Sequence, residues 1–305
     1  MKNKVIALTS LGEVVRDGAT VALGGAWFSN HPMAAARELL RAGRRDLHVI
    51  SLIGSADVDL LLAGGAVRHL TFSMVTLEAF GLAPNLRRRV EDGSITITEL
   101  TALSMEVALE AAGRNVPFMT FTGLGSPATS DLVELHPEVY GYVPDPFTGE
   151  QVLVVKAIKP EVTIVHALRA DAQGNAQFDG TYGIDDELAK AGDTVIVTCE
   201  EIVPTEVIAE SAHMTKVPAF LVDHVIEAPF GAHPTSHIPR YTIDGHELLG
   251  YAAAAGAGGD EQEAYLARLV GETEQQYRER VLGGGRGAVL AELVRQGKVL
   301  TGVAS

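Results

Sequence analysis

Two adjacent acids, Glu200 and Glu201, close the apolar run Val195-Ile196-Val197-Thr198-Cys199, and the segment Val225–Ser236 downstream reads V-I-E-A-P-F-G-A-H-P-T-S. A carboxylate at a strand end acts as a general base, contacts a substrate, or holds a loop by accepting backbone N–H bonds. Neighbours on a strand point to opposite faces, so at most one of this pair faces a given cleft. Glu78, after Ser73-Met74-Val75-Thr76-Leu77, is either a solvated loop charge or an acid lent to a site. Glu106 and Glu110, with Glu99 upstream, share a helix face that solvent would serve equally well.

Glycine turns supply the complementary groups. Gly24-Gly25 ends an apolar run and is followed by Ala26–His31, with Ser29 and Asn30, and then a helix start. Glycines there let a ligand approach the backbone, and a helix start offers free N–H groups to an anion or a carbonyl oxygen. An ordinary tight turn would use the same glycines; Trp27, the only tryptophan, favours a site or an interface. Gly123-Leu124-Gly125-Ser126-Pro127-Ala128 satisfies the G-x-G-x-x-A pattern. Pro127 in the turn, a position away from the first strand–helix unit, and the lack of a strand-end acid about 20 residues on argue against a dinucleotide fingerprint. Gly123, Gly125 and Ser126 read better as a backbone N–H pocket for a carbonyl or carboxylate. His213, His224, His233 and His237 lack the close pairing of a helical metal site, so no metal is expected; His233, between Ala232 and Pro234, is the one histidine assigned to the site. No nucleophile–base set can be assigned. The chain reads as half of an enzyme.

Alternating strands and helices must position these groups. Strands are expected at Ala19–Leu23, Leu47–Ile53, Leu70–Val75, Ser94–Thr98 (an edge), Phe118–Phe121, Gln151–Val155, Val162–Ala167 and Thr194–Thr198. Helices are expected at Met33–Arg41, opened by Pro32, and at Val58–Leu62, Met105–Ala112 and Asp185–Ala191. Residues 134–150 read as an excursion or hairpin, Ala252–Gly259 as a small-residue loop, Glu261–Val281 as one charged helix and Ala288–Gln296 as a last one. No long polar linker divides the chain, so residues 1–305 are expected to form one large α/β domain whose stretch from 260 onward is a helical tail.

Composition narrows the class. Apolar residues make up 47% and aromatics 6%, with 32 glycines, a mixture that suits α/β architecture with tight turns. A formal charge of −15 argues against a nucleic-acid surface. The single cysteine, Cys199, excludes a disulfide framework and reads as a buried thiol. The amino terminus is too short in apolar residues for a signal peptide and no run suits a membrane helix, so a cytoplasmic location is expected.

Gly18–Gly25, the Pro32 helix, Asn115-Val116-Pro117-Phe118, Val197–Ile202 and Ala228–Pro234 together resemble the α subunit of family I coenzyme A transferases, the glutaconate CoA-transferase type in particular. The likeness covers most of the chain and thins after Tyr241. It implies an open three-layer α/β/α subunit with a mostly parallel sheet, paired into α₂β₂ with a similar β subunit, the active site lying between chains. It implies a coenzyme A thioester as substrate, no permanently bound cofactor, and a glutamate nucleophile on the β subunit that forms an anhydride and then a glutamyl-CoA thioester. This chain would shape the acyl pocket and supply oxyanion donors through Gly24, Gly25, Gly123, Gly125 and Ser126, with Ser73 and Glu78 lining it.

Two departures keep other readings open. Thr76–Phe80 is less polar than a dicarboxylate pocket requires. The same scaffold resembles ring-opening CoA-thioester hydrolases and a CoA-ester decarboxylase; the acid of the ring-opening relatives falls near Ala102 here, flanked by Glu99 and Glu106, which weakens the ring-opening reading without excluding it. A sugar-phosphate-binding sensor is the alternative from another class, disfavoured by the scarcity of Lys and Arg beside the glycine turns.

Overall fold

A computed structural model of the chain describes residues 3–122, 130–180 and 183–295. Seven strands form the central sheet: β1 (Thr20–Leu23), β2 (Leu47–Gly54), β3 (Val67–Val75), β4 (Thr96–Glu99), β5 (Val162–Ala167), β6 (Thr194–Cys199) and β7 (His224–Glu227). Their order is β7-β6-β5-β1-β2-β3-β4, and every adjacent pair is parallel. Parallel strands need covered faces, and the sequence obliges: Val21, Ala22 and Leu23 are all fully buried, as are Ile164, Val165 and Ala167.

The longer helices are α1 (Met33–Arg41), α2 (Ala56–Ala63), α3 (Pro84–Glu91), α4 (Ala102–Gly113), α5 (Asp185–Ala191), α6 (Gly245–Ala257), α7 (Gly259–Gly271), α8 (Glu274–Leu282) and α9 (Arg286–Arg295). Two apolar layers sandwich the sheet. One gathers Leu39, Leu61, Leu70 and Leu248, and so joins α1, α2 and α6 to the strands; the other gathers Ile50, Met105, Leu109 and Leu188 under α4 and α5. Each such leucine contributes roughly 1.5–3 kcal/mol by leaving water.

Three expectations change. Phe118–Thr120 and Gln151–Lys156 leave the parallel sheet and pair antiparallel, with Tyr140–Pro144 completing a separate three-stranded ribbon; the excursion at 134–150 is thus the hairpin that turns the chain back. Residues 252–257 are helix, not loop. Alanine is the strongest helix former, the Asp244 carboxylate caps the His246 and Glu247 amides at 3.1 Å, and the helix stops at Gly258, whose φ of 68° suits glycine. The charged helix expected at 261–281 is split, because Thr273 and Gln276 form a capping box that starts α8.

The carboxyl-terminal helices are tied to α1 through Arg37, which is 1% exposed. Its guanidinium donates to Glu274 at 2.9 Å and to the His233 carbonyl at 2.8 Å, and lies 3.9 Å from the Tyr277 ring centre. One buried cation thereby joins α1, α8 and the segment after β7.

Candidate active site

All central strands run the same way, so their carboxyl ends share one rim, and the strand order reverses between β1 and β5. Open α/β sheets bind ligands at such a reversal. Three rim loops meet there. The loop after β1 folds on itself through paired amide bonds between Ala26 and Ser29. It joins the loop after β7 through the Ser29 and Ser236 hydroxyls at 2.9 Å, the Asn30 amide to the Ser236 carbonyl at 2.9 Å, and the Ser236 amide to the Phe28 carbonyl at 2.6 Å. Phe28 meets Phe80, from the loop after β3, edge to face at 5.7 Å. Ser29, Asn30 and Glu78, assigned to the site from sequence, therefore lie in adjoining loops.

Backbone strain gathers in these loops. Trp27, Asn30, Glu78 and Phe230 have φ of 55°, 61°, 52° and 56°, a region that side-chain-bearing residues seldom adopt. Such strain concentrates at functional sites, where the surroundings must hold it. Trp27 is also 52% exposed, and Glu78 keeps one carboxylate oxygen, Oε1, buried without a hydrogen-bond partner among the described residues. A buried carboxylate oxygen without a donor is costly, and a ligand or partner that supplies one recovers the cost.

Beneath the loops lies a charged network. Gly25 donates its amide to Asp185 Oδ1 at 3.0 Å, while the Gly24 amide continues the ladder to Ile164. A side chain on Gly24 would collide with Asp185, and one on Gly25 would meet the His31 backbone at 2.7 Å. Both amides are thus spent inside the protein rather than offered as oxyanion donors, and the two glycines are required by close packing against Asp185 and the His31 backbone. His31 donates from Nε2 to the Trp27 carbonyl at 2.7 Å and from Nδ1 to Asp57 at 3.1 Å, which requires both ring protons. Burial alone would discharge it, but Asp57 and the Trp27 carbonyl hold its pKa above the usual histidine value. Burial likewise disfavours the Asp57 carboxylate, yet His31 and the Ser55 amide keep its pKa low. At Asp185 burial wins over its amide donors and raises the pKa. His31, Asp57 and Asp185 were not picked out from sequence; an acid in the first turn of a helix, as in Ser55-Ala56-Asp57 directly after β2 and at Asp185, was the available signal.

Glu200 is the loop holder. It accepts the Phe230 amide at 2.8 Å, the Gly231 amide at 3.2 Å and the Tyr241 hydroxyl at 2.7 Å, with His166 Nε2 at 2.9 Å. Burial opposes its charge, but His166 above all, with His237 and the Phe230 amide, pulls its pKa down to about 2. Glu201 faces outward to Arg240 instead. His233 is fully buried, with Nδ1 on the Tyr277 hydroxyl at 2.9 Å and Nε2 on Asp244 at 3.1 Å, so both ring nitrogens are taken up under the loop rather than in it. Glu106 is exposed on α4 and lines a cavity of about 250 Å³ with Glu110, Arg114, Glu187 and Lys190, apart from the Glu78 loop. Ser73 sits near the end of β3, half-buried, on the sheet face it shares with Thr71. Gly123, Gly125 and Ser126 lie outside the described residues.

Among the described residues no serine or cysteine is hydrogen-bonded to a histidine, and Cys199 is buried, its thiol pKa pushed up to about 12 by burial. Among the described residues, the rim loops thus hold no serine or cysteine activated by a histidine base.

The family model for coenzyme A transferase matches residues 8–228. The chain belongs to the coenzyme A transferase family. A 3-oxoadipate CoA-transferase subunit from Pseudomonas knackmussii is 35% identical over 72% of this chain and 77% of its own. An Archaeoglobus fulgidus protein of uncharacterized function is 33% identical over 91% of this chain, which spans only 61% of that protein. The crystal structure of glutaconate CoA-transferase from Acidaminococcus fermentans superposes with a TM-score of 0.85 at 27% identity, covering 94% of this chain and 95% of that one. A variant of the decarboxylase AibA/AibB does so with a TM-score of 0.80 at 31% identity, over 89% of this chain and all of that one. A cholesterol ring-cleaving hydrolase subunit from Mycobacterium tuberculosis is 29% identical over 92% of this chain. The family expected from the sequence is thus the one found, and so is the open layered α/β fold. Among the described residues no helix is long and apolar enough to cross a membrane.

Proposed function

We propose that this CoA-transferase-family chain is the α subunit of a heteromeric enzyme that moves coenzyme A between an acyl-CoA thioester and a carboxylic acid. The observation that carries this reading is the unfinished rim: strained loops, an exposed Trp27 and an unpaired Glu78 oxygen, with no activated thiol or hydroxyl nucleophile among the described residues. A β subunit related to this chain completes the site and supplies a glutamate nucleophile, in an α₂β₂ assembly located in the cytoplasm. The β-chain carboxylate attacks the thioester carbonyl, forming an anhydride and releasing CoA thiolate. The thiolate attacks the glutamyl carbonyl of the anhydride, releasing the first acid and leaving a glutamyl-CoA thioester that the second acid takes over.

Within this chain, Gly24 and Gly25 keep the pocket floor free of side chains, Ser29 and Asn30 hold its wall, and Ser73 and Glu78 line it. Gly123, Gly125 and Ser126 provide the oxyanion donors. His233 supports the wall from beneath. Coenzyme A is substrate, with no permanently bound organic cofactor, and residues 1–305 act as one domain, with α7 and α8 packed on α1.

The test is to purify the native complex, incubate it with an acyl-CoA and look for a thioester on a β-chain glutamate by borohydride reduction and peptide mass. Trapping one there, with CoA passing to an added acid, is the expected result. The resemblance to a decarboxylase and a ring-cleaving hydrolase subunit supports a second reading on the same pair of chains. Release of CO2, or a ring-opened acyl-CoA without transfer to an added acid, would establish it.

A further inference from the structure

The loop after β7 is secured at its base by a cluster that β5, β6 and the stretch after β7 bring together: His166, Glu200 and His237, whose ligand atoms all lie within 4.8 Å of one another. His166 and His237 are fully buried, and Glu200 is 9% exposed. The Thr198 hydroxyl lies 2.9 Å from His166 Nδ1 and 3.1 Å from the Val165 carbonyl, so it can accept from the one while donating to the other. In that tautomer the Nε2 lone pair of His166 is free for a cation, 2.9 Å from Glu200 Oε1, an oxygen that also accepts from the Tyr241 hydroxyl and the Gly231 amide.

His237 is the observation that points to a ligand. Its ring packs edge-on against His166 with centroids 5.0 Å apart, and among the described residues neither of its nitrogens has a hydrogen-bond partner. A buried imidazole left so keeps both its donor and its acceptor unmet. A cation between the three side chains uses the His237 lone pair and the facing lone pairs of His166 and Glu200 at once. We propose that His166 Nε2, Glu200 and His237 bind one divalent transition-metal ion, zinc being the best match to a nitrogen, nitrogen and oxygen donor set. The Nδ1–H of His166 on Thr198 is the outer contact that orients a metal-bound imidazole. Gly231 is required beside it, since a Cβ there would stand 2.6 Å from His166 Cε1. Three protein donors leave a fourth position for a water or another small ligand, and the ion fastens the ends of β5 and β6 to the 228–237 loop. This inference does not depend on the transferase reading, and it replaces the metal-free expectation drawn from histidine spacing.

The test uses the full-length chain without a histidine tag, together with any partner that co-purifies. Metal content is measured by mass spectrometry as purified, after chelator treatment, and after zinc challenge and desalting; Co2+ loading is followed in the visible spectrum. Expected are one equivalent of zinc per chain, a Tm that rises on loading, a low-symmetry Co2+ spectrum, and loss of binding in His237→Ala but not in His213→Ala, an exposed position. Less than a tenth of an equivalent in the wild type after zinc challenge would overturn the proposal, a result that needs no variant to fold. So would a folded His237→Ala protein that retains the metal.

Discussion

The Asp185 carboxylate accepts the Gly25 amide at 3.0 Å and occupies the space that a side chain on Gly24 would need. The first residue of α5 thereby braces the turn after β1. Gly24→Ala is expected to cost about 1–3 kcal/mol in urea unfolding, because neither Asp185 nor the ladder bond to Ile164 can yield cheaply. Asp185→Ala in the same chain should recover part of that loss; no recovery would show that the collision is not the cause.

The His31–Asp57 pair makes stability depend on pH from both sides. Asp57, with its pKa lowered, contributes above the ordinary aspartate range and loses its contribution as pH falls through its folded value. His31, with its pKa raised, contributes fully below the ordinary histidine value and loses its contribution as pH rises through its folded value. The stability difference between wild type and His31→Asn should therefore plateau between those two ranges and shrink on either side. A difference independent of pH across both ranges would mean that the pair is uncharged.

Arg37 offers a test of how the tail is held. Arg37→Ala strands Glu274 and the His233 carbonyl in a buried place, and an expected loss of about 3–5 kcal/mol follows. Arg37→Lys should rescue little, since an ammonium can neither bridge Glu274 by two bonds nor stack flat on Tyr277.

Much of the fold was legible in the sequence. Met33–Arg41, Val162–Ala167 and Asp185–Ala191 match the expected bounds, because a proline start, a continuous apolar run and an acidic first turn are local signals. The antiparallel ribbon was not legible, since Gln151–Lys156 is as apolar as a parallel strand and only its partners distinguish it. The site divides similarly. The loops of Ser29, Asn30 and Glu78 stand at strand ends, as expected, but His166 and Glu200 are 34 residues apart and meet only because β5 and β6 pair in register. His233 shows the converse: a histidine in a Gly/Pro loop suggested a ligand contact, and the fold turns it inward onto Tyr277 and Asp244.

Glu78 and Trp27 separate chemistry from assembly. Glu78→Gln is expected to lower kcat/KM by at least about tenfold while leaving Tm unchanged, because the Oε1 oxygen has no partner within the described chain to lose. Trp27→Ala should weaken association with the β subunit by about 30-fold, the effect of losing an aromatic anchor worth about 2 kcal/mol, again without a change in Tm. Steady-state kinetics of the first variant and analytical ultracentrifugation of the second, each beside the wild type, check both; loss of folding in either would assign that residue to the core instead.

The central claim is that this chain is one half of an active site, and the most direct measurement is CoA transfer by the purified chain with and without its partner. The chain alone should bind acyl-CoA weakly and transfer nothing, while the stoichiometric complex should move CoA to an added carboxylic acid. Full transfer by the isolated chain, or a native form that contains no second chain, would contradict the account.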